Sequence, residues 1–252
     1  MILRRSASPL FLQPAARART RTKPTKRMRP NCTRSGPGLP RFGRRVGFTM
    51  LLYQDPRAPN PRRVRIFLAE KAVAYDTIEV LIATDQHLSV DYRRKHPLSL
   101  LPILELADGR IIRESMAICR YIEEMNPDPN LFGADPWERS QIEQWNRHAE
   151  LEVLIPIQQI FRNTNAFWTG RIKQAPDFAP IMTDLVNARL DWLEVELGKR
   201  TYMAGDRFTV ADITAVCAID FGKVAKIRLD PATRPNLVAW HARCSERPSY
   251  KA

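Results

Sequence analysis

What this 252-residue chain lacks narrows it first. No apolar run approaches the ~18 residues that a membrane-spanning helix needs, so no membrane partner is expected. Cysteine is scarce: Cys32, Cys119, Cys217 and Cys244 stand far apart, with no CxxC pair and no metal-ligand spacing. That excludes a disulfide framework, gives no ground for a metal site, and predicts buried, reduced thiols in a cytoplasmic protein. Acidic residues are missing altogether from 1–49, where 13 of the 40 Lys and Arg lie. The 27 basic residues that remain balance the 27 Asp and Glu, so the net charge of +13 belongs to 1–49. Residues 50–252 therefore have no electrostatic reason to bind nucleic acid.

The basic stretch 1–49 is rich in Arg, Pro, Ser, Thr and Ala and has no sustained period. It cannot bury enough surface to offset its ordering entropy, which predicts a disordered extension. Three readings compete for it: an organelle-targeting segment, a nucleic-acid-binding arm, or upstream sequence read from an early start codon. The third is favoured, because a strand begins at once after Met50.

From Met50 onward 44% apolar composition, taken over the whole chain, suffices for one or two cores. Residues 51–54 read as a buried strand, followed by Asp55-Pro-Arg-Ala-Pro-Asn-Pro61, a loop dense in turn residues. A helix is predicted from Pro61 or Arg62 to Lys71, a β-rich strand over 74–81 and an irregular helix within 84–96. Next come an apolar strand from Leu101-Pro102, the dipeptide Asp108-Gly109, and a second strand, Ile111-Ile112-Arg113. Asp-Gly between apolar runs predicts a tight hairpin turn, because both residues tolerate positive φ. Pro102 stands first in its strand, where a missing N–H does least harm and a cis peptide is plausible. Glu114-Ser115 then opens a helix, whose free N–H groups attract anions.

Asn126-Pro-Asp-Pro-Asn-Leu-Phe-Gly133 stops that helix and begins a linker over 127–136. Helical periodicity continues to the C-terminus: 137–168, with a kink at Pro156, and 179–197. Phe208-Thr-Val-Ala-Asp212-Ile213 reads as a capping box with a hydrophobic staple. Strand-helix-strand followed by strand-strand-helix gives a four-stranded mixed sheet over 50–126, with an all-helical domain over 137–252.

In this order and spacing, Met50-Leu-Leu-Tyr-Gln-Asp, Arg63-Val-Arg-Ile-Phe-Leu-Ala-Glu-Lys71, Leu101-Pro102, Glu114-Ser115 and Phe208-Thr-Val-Ala-Asp-Ile213 resemble the landmarks of the cytosolic glutathione transferases. The resemblance implies a thioredoxin-like domain, a homodimer, and glutathione as co-substrate with no metal. It implies that Leu101 and Pro102 pair with the cysteinyl unit and that Glu114 and Ser115 hold the γ-glutamyl end. The family lowers the thiol pKa of glutathione so that a thiolate meets a small hydrophobic electrophile or a disulfide.

The group that would hold the sulfur is the open question. The loop over 55–64 contains no Ser, Thr or Cys, which excludes a serine-type or cysteine-type site. Asn60 remains, and Pro59-Asn60 before a basic pair is similar to the Nu-class and Ure2-like transferases, with Ala58 in place of a Thr. The competing reading of Asn60 is a helix cap. Tyr53, near the position used by tyrosine-type enzymes, is the rival. Leu100 departs from the family's polar residue and cannot contact the glycyl carboxylate, a role left to Arg57, Arg62 or His96 or to a different thiol ligand. Trp145 and His148 lie on a helix that lines the second-substrate pocket in the family; for His148 a solvated position competes. Phe161, Phe167 and Trp168 are pocket or core. Two other functions stand against an enzyme: a non-catalytic transferase-like scaffold and a nucleic-acid binder using the basic tail.

Overall fold

The computed structural model describes residues 50–252, and the expectations for 1–49 lie outside them. Strand β1 (Met50–Gln54) leads into helix α1 (Pro59–Glu70), and β2 (Asp76–Glu79) returns parallel to β1. Two single 3₁₀ turns, Ile82–Thr84 and Gln86–Leu88, and the short α2 (Val90–Lys95) take the place of one irregular helix. Then follow β3 (Ile103–Leu106), β4 (Ile111–Arg113) and α3 (Ser115–Met125). The sheet order is β2-β1-β3-β4, with β3 antiparallel to both of its neighbours. This is the mixed four-stranded, thioredoxin-like arrangement expected.

The period of two along β1 and β3 sorts their side chains. Leu52 and Leu104 join Val64, Phe67 and Leu68 of α1 and Ile118 and Ile122 of α3 in the main core. Tyr53 and Ile103 point to the other face, against Val80 and Tyr92. The hairpin differs from the expected two-residue turn. Gly109 alone has positive φ, at 86°; its N–H bonds Leu106 C=O, and Leu106 N–H bonds Arg110 C=O. The connection is therefore a three-residue loop closed by a glycine, which needs only one left-handed residue.

The second half is helical: α4 (Pro136–Arg147), α5 (Ile155–Thr164), α6 (Phe178–Leu197), α7 (Val210–Phe221) and α8 (Pro235–Ser245). A π-helical stretch, His148–Leu154, joins α4 to α5 without a break. The irregularity expected at Pro156 thus sits one turn earlier. There Ile155 N–H reaches back five residues to Glu150 C=O before the proline that has no N–H to give. The capping box forms as expected: Thr209 N–H donates to Asp212 Oδ2 at 2.9 Å, and Asp212 Oδ1 also accepts from Met203 N–H and Trp240 Nε1, each at 2.8 Å. Helix α1 packs on α3 from its own domain and on α7 from the helical one. Cys119, Cys217 and Cys244 are free and buried; burial pushes the Cys119 thiol up to about 12 and Cys217 up to about 11. Among the described residues no helix is long and apolar enough to cross a membrane, and no group of three or more His, Cys, Asp or Glu could hold a metal ion.

Candidate functional site

Sheet topology gathers the candidate residues. β1 ends where α1 begins; β3, antiparallel, starts at that same end, and β4 finishes there and hands over to α3. The β1–α1 loop, Leu101-Pro102 and Glu114-Ser115 therefore meet along one end of the sheet. The Leu101–Pro102 peptide is cis.

Helix α1 starts two or three residues earlier than the expected Pro61 or Arg62. Pro59 is its first residue and Ala58 its N-cap, with no side-chain capping bond. Asn60 thus lies inside the first turn, which removes the capping reading. Both prolines are accommodated because N–H groups of a first turn have no intrahelical partner. Since Pro59 and Pro61 carry no N–H, and Arg62 N–H is engaged by Ala58 C=O, the only unengaged donors of this turn belong to Asn60.

At the start of α3, Glu114 takes φ 71° and ψ 121°, a conformation that costs a non-glycine residue about 1–3 kcal/mol and tends to cluster at functional sites. Its exposed carboxylate has no hydrogen-bond partner among the described residues. Ser115 follows, buried, at the first position of α3, where its own N–H and those of Met116 and Ala117 precede the first intrahelical bond.

Between the two helix starts lies a residue that sequence reading passed over. Arg63 is only 2% exposed, and its Nη2 donates to Asn60 Oδ1 at 3.0 Å, Ser115 Oγ at 2.8 Å and Glu150 Oε1 at 2.9 Å. Its Nη1 lies 3.5 Å from Thr214 Oγ1, which donates to Asn146 Oδ1 at 2.7 Å. The signal was present: a charge set on the face of α1 that also carries Ile66 and Phe67. A buried arginine must find acceptors, and these come from four elements.

The remaining candidates have other engagements. Tyr53 donates its hydroxyl to Glu105 Oε2 at 2.6 Å, and Lys95 Nζ pairs with the same oxygen at 2.7 Å. Glu105 faces Leu51, so the hydroxyl leans back along the sheet, away from the β1–α1 loop. Burial, then the Glu105 carboxylate, push the Tyr53 pKa far up. Arg62 is held by Asp220 Oδ2 at 2.5 Å and by Tyr250 C=O, with its guanidinium over the Tyr250 ring. Arg57 pairs with Asp55 at 3.3 Å but keeps a side chain 66% exposed, whereas His96 is buried, with burial lowering its pKa. Trp145 stacks on Trp192 of α6 with centroids 5.0 Å apart, and His148 packs edge-on against both. The structure thus packs these two rings against Trp192 of α6. Phe161, Phe167, Trp168 and Phe221 form one aromatic cluster, with the Arg171 guanidinium over Phe167. Arg171 also bonds Asp85 and the Ile82 and Ala83 carbonyls, tying this cluster to the loop beyond β2.

Known proteins agree with this architecture. Residues 58–125 match the glutathione S-transferase N-terminal domain and residues 179–248 the C-terminal domain. Glutathione S-transferase 2 of Saccharomyces cerevisiae is 31% identical over 213 residues, covering 83% of this chain and 91% of its own. The crystal structure of a glutathione S-transferase domain-containing protein from Marinobacter aquaeolei VT8 superposes with a TM-score of 0.75 at 34% identity, covering 79% of this chain and 98% of that one. Elongation factor 1-gamma of Sus scrofa is 30% identical over 207 residues, which are 76% of this chain and 45% of that protein. The chain belongs to the glutathione S-transferase family.

Proposed function

We propose that this chain is a catalytic glutathione transferase in which Asn60 holds the sulfur. In this reading the cysteinyl backbone lies along Leu101 and Pro102, and the γ-glutamyl carboxylate sits at Ser115 and the start of α3, beside Glu114. The observation that carries the proposal is the contact between Arg63 Nη2 and Asn60 Oδ1. A guanidinium cannot accept, so it fixes the amide with oxygen inward and leaves the Nδ2 hydrogens for a ligand. The backbone N–H of Asn60, the sole one in the first three positions of α1, adds a second donor at the positive end of the helix. Lowering a thiol pKa by about two units takes roughly 2.7 kcal/mol of preferential thiolate binding, within reach of one such donor and a helix terminus. The thiolate then attacks an electrophilic carbon and expels its leaving group, or attacks a disulfide sulfur and releases a thiolate. The aromatic cluster around Phe161 suits a small hydrophobic second substrate. A cytoplasmic homodimer without a metal completes the reading.

Tyr53 has no part in it, because its one proton is committed to Glu105. The deciding measurement is the ionisation of bound glutathione, followed by thiolate absorbance against pH. Asn60→Ala should raise that pKa by about one to two units and slow turnover on the order of ten- to a hundred-fold. Tyr53→Phe should leave both in place. The reverse pattern assigns the chemistry to Tyr53.

A second reading, a non-catalytic scaffold, is favoured by the likeness to elongation factor 1-gamma and by Leu100, whose apolar side chain offers the glycyl carboxylate no bond. Calorimetric titration separates the two. No heat of binding up to about 1 mM glutathione would overturn the glutathione reading and leave the scaffold or a different thiol ligand.

A further inference from the structure

We infer that Arg63 is a positioning residue that aims both proposed ligand contacts at once, and that Glu150 of the helical domain holds it in place. This deepens the reading above and rests on it for the roles of Asn60 and Ser115. The argument begins with one nitrogen. Arg63 Nη2 carries two hydrogens and has three oxygens within 3.0 Å, on Asn60, Ser115 and Glu150. Arginine only donates, so each of these groups must turn a lone pair toward it. For Asn60 that settles which end of the amide faces outward. For Ser115 it occupies an oxygen lone pair, and the hydroxyl proton has to point elsewhere, toward an incoming carboxylate. One buried guanidinium thus orients donors on two different helices, one proposed for the central thiol and one for the γ-glutamyl carboxylate of the ligand.

Charge and placement explain why the third partner comes from the other domain. A guanidinium this deeply buried needs a counter-ion, and none of its contacts within the thioredoxin-like domain is charged. Glu150 supplies it from the π-helical stretch, whose wider turn shifts the following face of the helix relative to a regular one. Its second oxygen is held by the half-exposed Arg147 at 2.9 Å. Lysine would not serve in place of Arg63. It offers a point charge on a flexible stem, without the planar fork that keeps several acceptors in fixed directions.

The rival role for Arg63 is a plain domain-docking ion pair, and the test must separate the two. The full chain is titrated with glutathione itself, and three quantities are read: thermal unfolding, the pKa of the bound thiol, and the dissociation constant. Arg63→Lys keeps the charge. The pair Arg63→Met with Glu150→Met removes both charges together, so that neither is left alone in the interior. Both variants should raise the bound-thiol pKa by about one unit or more and weaken binding about tenfold. Asn60→Ala combined with Arg63→Lys should move the thiol pKa no further than Asn60→Ala alone, because Arg63 acts on the sulfur through Asn60. If either variant unfolds cooperatively yet keeps the wild-type thiol pKa and affinity, Arg63 only docks the domains and the inference falls. Additive shifts from Asn60→Ala and Arg63→Lys overturn it as well. Asn60→Ala by itself reports on the parent reading: an unmoved thiol pKa there removes the sulfur assignment, whatever Arg63 does.

Discussion

At the scale of single residues, Ser115 shows how a buried hydroxyl divides its bonds. Its oxygen accepts from Arg63 at 2.8 Å, so what it offers a ligand is one proton. Ser115→Ala should weaken glutathione binding by roughly 1–3 kcal/mol, the worth of a bond to a charged group, and leave kcat nearly unchanged. Calorimetry paired with steady-state kinetics checks this, and a collapse of kcat at constant affinity would mean that the ligand lies the other way round. Ser115 was readable because an acidic-Ser pair at a helix start is a local pattern. Arg63 was not read, since its partners Asn60, Ser115 and Glu150 lie as far as 87 residues from it in sequence. Tyr53 illustrates the converse. Its position in β1 was clear from the sequence, but the direction of its hydroxyl was set by a register that places Glu105 opposite Leu51.

Among elements, helix termini do most to define the molecule. The start of α7 is held by Asp212, fully buried, whose two oxygens serve Thr209 N–H, Met203 N–H and the Trp240 indole. Asp212→Ala would strand these donors away from water. At about 1–3 kcal/mol for each unsatisfied group, the variant should lose a large part of a typical domain's stability, measured as a fall in the urea midpoint with an unchanged slope. A loss below about 0.5 kcal/mol would mean that other groups replace the carboxylate. This box was legible because its residues are only three apart. The start of α1 was placed two or three residues too late, since Pro61 and Pro59 both satisfy the first-turn rule and sequence alone does not rank them.

For the molecule as a whole, α1 is where the two domains are tied, through Arg62 to Asp220, Arg63 to Glu150 and Glu70 to Arg247. Glu70 gives this a pH signature. Burial alone would push its carboxyl up, but the bonds from Arg247 and Ser249 outweigh it and hold the pKa below the ordinary value. A carboxyl whose folded pKa is depressed adds stability above its unfolded value of about 4.3, and that stability is lost as pH falls through the folded value. Glu70→Gln should therefore lower the melting temperature near neutral pH, and the gap to wild type should close as the pH drops below about 4. A gap that stays constant over that window would assign the contribution to packing instead.

The sequence by itself determined the order of the elements, the two-domain plan and the places where chemistry could reside, because periodicity, turn residues and caps act over a few positions at a time. It supplied Asn60 by elimination within a loop of ten residues, and Leu101, Pro102, Glu114 and Ser115 as neighbours in short motifs. Only the tertiary structure decided which way those groups face. A side chain's direction follows from strand register and from partners that the chain brings back from far away. That is why Arg62 is bound to Asp220, Trp145 and His148 turn to Trp192, and the amide of Asn60 is aimed by an arginine whose counter-charge lies in the other domain.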